Sequence, residues 1–139
     1  MTDPVTILGA MAAASQLAEQ GFKIALLLCQ LGSRIRNAQE SSNRRVKQVE
    51  QLIGIARQII SNSSLQTETM ASVLKTCLEE TEHIDKLLQK VVISSKHNKA
   101  SRVARSFRAV VKEREINAHF NNLERIKGLL CLCISERIW

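Results

Sequence analysis

Residues 4–31 read PVTILGAMAAASQLAEQGFKIALLLCQL, and they carry only two charges, Glu19 and Lys23. Ile7, Leu8, Met11, Leu17, Ile24, Leu27, Leu28 and Leu31 recur at helical spacing, which predicts a first helix from about Pro4 to Asn37. Pro4 suits a first helical turn, and Asp3 can cap it or oppose the helix dipole. Gly21 and Gly32 are candidate points of bending or ending. A helix this apolar on all sides has to be covered, so the rest of the chain is expected to supply partner helices.

The following sequence does so. A polar run, Asn37 to Asn43, reads as a connection with Ser41 or Ser42 as a cap. Val46, Val49, Leu52, Ile53, Ala56, Ile59 and Ile60 then form one apolar stripe, stopped by the turn-like Ser61-Asn-Ser-Ser64. A third helix is predicted from about Gln66 to Ser94, on Met70, Val73, Leu74, Cys77, Ile84, Leu87, Leu88 and Val91. Its middle, Glu79-Glu-Thr-Glu82, is expected to pass partly through solvent. After a connection at Ser94–Asn98, a last region carries Val103, Phe107 and Val110, then Ile116, Phe120, Leu123, Ile126, Leu130 and Ile134. Lys112-Glu-Arg-Glu115 between the two sets reads as a kink or short break. With one proline and five glycines in 139 residues, the expectation is an all-α, antiparallel bundle of four or five helices. The whole chain, residues 1–139, is expected to form one domain. The helical pattern runs to Trp139 without a polar tail, so the domain is expected to be the N-terminal part of a longer protein.

Composition narrows the function. Aromatic residues make up 3% and tyrosine is absent, which speaks against base-stacking platforms. The net charge is +7, which favours nucleic acid, anionic lipid or an acidic partner. Cys29, Cys77, Cys131 and Cys133 lie within apolar helical patterns and are expected to be reduced, buried thiols. Cys131 and Cys133 are two apart and diverge on a helix, so no zinc site is expected. His83, His97 and His119 have no ligand spacing among them and no nucleophile partner in sequence. The Glu80-x-x-His83 spacing occurs once, whereas a carboxylate-iron bundle needs it from two helices. No catalytic residue, cofactor or metal site is predicted, and the chain is read as a non-enzyme.

Two stretches are candidates for interaction. In the first helix, Ala10, Ala14 and Ala18 recur every four residues, and Gly9 and Ala13 form a second such row. Small residues at this spacing allow close helix approach, in water or in lipid. With Ile7, Leu8, Met11 and Leu17 they form a candidate membrane-insertion and self-association surface. Twenty-eight helical residues extend about 42 Å, beyond the roughly 30 Å hydrocarbon core. About ten strongly apolar residues contribute near −5 kcal/mol, and two central charges cost about +5 to +7 kcal/mol. The balance near zero argues against a permanent anchor. It leaves two compatible readings: a helix buried centrally in the bundle, or one sheltered until released. The second stretch is basic. Lys99, Arg102, Arg105, Arg108 and Lys112 lie close together, the arginines on one helix face, and suit anionic lipid or an acidic partner. A solvated face matched by Glu79, Glu80, Glu82 and Asp85 is the plainer alternative. Base readout of nucleic acid is disfavoured, since no helix-turn-helix spacing, zinc finger or aromatic interleaving is present.

Several short motifs resemble one family as a set. They are Met1-Thr-Asp-Pro-Val-Thr-Ile-Leu-Gly-Ala10, Gln48-Val-Glu-Gln-Leu-Ile53 with Ile55-Ala-Arg57, Leu78-Glu-Glu80, Val111-Lys-Glu-Arg-Glu-Ile116 and Asn122-Leu-Glu-Arg125. Together they resemble the fungal HeLo-like, or SesA-type, domains that precede NACHT and other P-loop NTPase modules of STAND, NLR-like receptors. The resemblance implies a bundle similar to the N-terminal domain of the mixed-lineage kinase-like pseudokinase. It also implies a role in heterokaryon incompatibility and programmed cell death. A NACHT receptor module, in cis or in trans, would drive oligomerisation. The N-terminal helix would then target and permeabilise the plasma membrane from the cytoplasm. The runner-up expectation is a signalling or adaptor bundle that docks partner helices without entering lipid.

Overall fold

The computed structural model describes residues 4–34, 39–97 and 102–138, with side chains from 9–33, 39–93 and 112–136. The described residues form four helices and one short turn of 3-10 helix: α1 (Pro4–Arg34), α2 (Gln39–Ser61), the turn Ser63–Leu65, α3 (Glu68–His97) and α4 (Arg102–Ile138). The all-helical bundle expected from the periodicity is present. Each helix gives one stripe to a single core: Leu17, Ile24 and Leu28 from α1, Leu52 and Ile59 from α2, Leu74, Ile84 and Leu88 from α3, Leu123 and Ile126 from α4.

The helices do not surround the core in chain order. Among the described residues, α1 packs along both α2 and α3, and α4 packs along α3. The ring therefore runs α2–α1–α3–α4, and α2 and α3 face each other across it. Two glycines set the α1–α2 approach. A Cβ on Gly21 would lie 2.6 Å from Ile53 Cγ1, so any larger residue requires the Ile53 side chain to shift. A Cβ on Gly32 would lie 3.2 Å from Ser42 Cβ. The contact moves down α2 as it moves up α1, so the two helices are antiparallel.

The link between α2 and α3 shows how local chemistry closes a helix pair. Asn62 Oδ1 accepts from the Ser64 amide at 3.1 Å and from its hydroxyl at 2.7 Å, fixing the turn. Leu65 is fully buried beneath it. Gln66 Nε2 donates to the carbonyls of Ile59 and Ile60 at 3.1 and 3.2 Å, satisfying acceptors left open at the end of α2. Thr67 Oγ1 accepts from the Met70 amide at 3.1 Å, which caps the start of α3.

Three expectations are corrected and one is met. The polar run after α1 is not all connection: α2 begins at Gln39, and Ser42 is buried within it rather than capping it. The end of α3 continues through the expected connection to His97. Lys112–Glu115 does not interrupt α4, which is continuous from Arg102 to Ile138 and carries a Lys112–Glu115 ion pair at 3.8 Å. Glu79–Glu82 passes partly through solvent, as expected: Glu79 and Glu82 are exposed, while Glu80 and Thr81 are buried. The Thr81 hydroxyl is satisfied by its own helix, donating to the Leu78 carbonyl at 2.9 Å.

Candidate functional site

The small-residue rows of α1 are divided by the bundle. Ala10, Ala14 and Leu17 are fully buried and Ala13 nearly so, while Met11 and Ala18 are part-buried and Gly9 faces solvent. The side chains of Ile7 and Leu8 lie outside the described residues. Most of the described part of the candidate insertion surface is thus interior, packed on the neighbouring helices. The outer side of α1 presents other residues. Phe22 and Leu26, one turn apart, are 51% and 65% exposed. The Arg57 guanidinium of α2 lies 5.5 Å from the Phe22 ring centroid, a cation–π contact that covers part of it. Among the described residues no helix is long and apolar enough to cross a membrane.

The basic row is placed only in part. Lys99 lies outside the described residues, and Arg102, Arg105 and Arg108 lie on α4 with side chains outside them. Lys112 is part-buried beside Glu115. Further along α4, Leu129 and Leu132 are 45% and 61% exposed.

Two polar clusters hold α4, and the sequence shows only the Glu80-x-x-His83 spacing of the second, not the partners either one gathers from distant helices. Towards α2, the Arg45 guanidinium is 4% exposed. It donates to both Glu113 oxygens, the shorter bond 2.6 Å, and to Asn117 Oδ1, and lies 5.5 Å from the Phe120 ring centroid. Towards α3, the Glu80 carboxylate is 10% exposed. One oxygen lies 2.6 Å from His119 Nδ1 and the other accepts from Asn122 Nδ2 at 2.8 Å. The His83 ring stacks on that of His119 with centroids 5.9 Å apart. Asn122 in turn accepts from Arg125. A buried carboxylate with both oxygens bonded is satisfied rather than poised for chemistry.

The thiols divide differently from the sequence expectation. Cys77 alone is buried; Cys29 and Cys131 are exposed and Cys133 is intermediate, all without a disulfide. Burial, with the neighbouring Glu80 charge adding to it, pushes the Cys77 thiol up to about 12, so it stays protonated at neutral pH. The Cys133 thiol is also raised, by burial and then by Glu136. Neither is an activated nucleophile. Among the described residues no group of three His, Cys, Asp or Glu side chains is placed to hold a metal ion.

The fold defines the class: an all-α helix bundle whose α4 is fastened by two polar clusters. Compared with known proteins, the chain matches no protein-family model, no curated protein and no solved structure.

Proposed function

We propose that this chain is a non-enzymatic, HeLo-like effector domain of fungal cell death, which self-associates and acts on anionic membranes through α1. The observation that carries the reading is the make-up of α1. It is a 31-residue helix with two charges between Pro4 and Leu31, covered by the bundle on one side. Its outer side offers Phe22 and Leu26 beside Lys23, an apolar pair with a cation suited to an anionic lipid surface. The resemblance of the short motifs along the chain adds to it. On this reading the domain is cytoplasmic at rest and reaches the plasma membrane when a NACHT-type module gathers several copies.

Leakage of dye from anionic vesicles tests the proposal. Leu26→Asp places a charge at an exposed position, so the core is kept while insertion is penalised by about 2.5–3.5 kcal/mol. Leakage is expected to fall more than tenfold. Equal leakage by the wild-type chain and Leu26→Asp, or none by the wild type at high protein-to-lipid ratio, overturns it.

A second reading rests on Leu129 and Leu132. They are exposed on α4, on the far side of the ring from α1, and suit docking of a partner helix by an adaptor that never enters lipid.

A further inference from the structure

Among the described residues, three edges of the helix ring are in extensive contact, and the fourth is not. Among the described residues, α2 and α4 approach each other at few points. Side chains bridge the space instead. Arg45 of α2 reaches Glu113, Asn117 and Phe120 of α4. Lys127 of α4 donates to Gln51 Oε1 of α2 at 2.7 Å, an exposed bond. Arg45 with Glu113 and Gln51 with Lys127 advance together along both helices, so α2 and α4 run in the same direction across this seam.

We propose that the α2–α4 seam is a latch at which the bundle opens, with the Arg45 guanidinium as its fastening. The chemistry of the contact sets it apart from the other edges. Arg45 is almost wholly removed from water, yet Glu113, its one carboxylate partner among the described residues, is 47% exposed and remains largely solvated. Arg45 Nε is buried with no hydrogen-bond partner among the described residues. A desolvated cation that is incompletely repaid holds the closed state by a narrow margin. The α1–α2 edge is closed by apolar interdigitation, as where Gly21 admits Ile53, and the buried carboxylate of the α3–α4 edge, Glu80, has both oxygens bonded. Opening the seam separates Arg45 from Phe120 and admits water to Ile116, Phe120 and Leu123 of α4. It also exposes Leu52, which lies two turns along α2 on the face of Arg45. α1 keeps both of its neighbours in the open state, so the inference does not depend on the membrane reading.

Hydrogen exchange of the whole chain, resolved by peptide, tests it. Glu113→Ala removes the partner of the buried cation at a half-exposed position, and Glu115→Ala, on the same helix, is the control. In Glu113→Ala, amides of residues 45–56 and 113–126 are expected to exchange about tenfold faster or more, with residues 10–28 of α1 within about twofold of wild type. Glu115→Ala is expected to match wild type throughout. Equal acceleration in α1 would mean that the whole bundle was loosened, and it would overturn the latch. So would unchanged exchange along the seam, or the same seam response in Glu115→Ala.

Discussion

Glu80 of α3 and His119 of α4 meet at 2.6 Å across the α3–α4 interface, thirty-nine positions apart in the chain. The pair fixes the rotation of α4 about its axis, because His119 and Asn122 reach the same carboxylate from successive turns. Replacing His119 by Ala leaves Glu80 with one bond in a site 10% exposed, and is expected to cost about 1–3 kcal/mol in urea unfolding. His119→Gln, which can still donate, should recover part of the loss.

The two glycines Gly21 and Gly54 should respond to alanine in opposite directions. At Gly21 the new methyl meets Ile53 at 2.6 Å, and overpacking of this kind costs about 1–3 kcal/mol. At Gly54, exposed on α2, a methyl meets nothing within 4 Å and the gain in helix propensity is about 0.8–1 kcal/mol. Thermal melts of the two variants check both signs.

Cys77 gives the protein an alkaline liability. Its folded thiol is raised from 9.0 to about 12, so above pH 9 the unfolded chain releases a proton that the native state keeps. Fewer protons bound in the unfolded state means that stability falls as pH rises, by up to about 1.4 kcal/mol per pH unit in the window from 9 to 12. Cys77→Ala should flatten this limb when unfolding free energies at pH 8 and pH 10.5 are compared, despite a lower stability at pH 8.

Thiol labelling should separate the four cysteines. Cys29 and Cys131 are expected to react at the rate of a free thiol, Cys133 more slowly, and Cys77 only as the protein unfolds. Mass spectrometry of digested, partly labelled protein reads the order.

The helices were legible because their apolar stripes follow the helical period, and Leu74, Ile84 and Leu88 read the same way in sequence and in space. The start of α2 was not legible, since Gln39, Glu40 and Ser41 are as acceptable in a first helical turn as in a loop. Glu80 and Thr81 lie among charged neighbours, and only α4 arriving from a distant part of the chain buries Glu80. The clusters around Arg45 and Glu80 each join residues far apart in sequence, so no local spacing announces the partners that meet there. Cys29 and Cys131 were misplaced for a related reason. Leu26-Leu-Leu28 and Leu129-Leu130 are wider than one buried stripe, and part of each run has to face outward.

The placing of α1 between α2 and α3 has a consequence for synthesis on the ribosome. Of the four helices α1 is made first, and α2 follows at once, but the second wall of its binding site is α3. Leu88 is translated sixty residues after Leu28, a delay of about 3–12 s at 5–20 residues per second. For that interval the most apolar helix of the chain is half housed, within reach of chaperones, lipid surfaces and other nascent chains. The first of these four helices to be made is among the last of them to be fully enclosed.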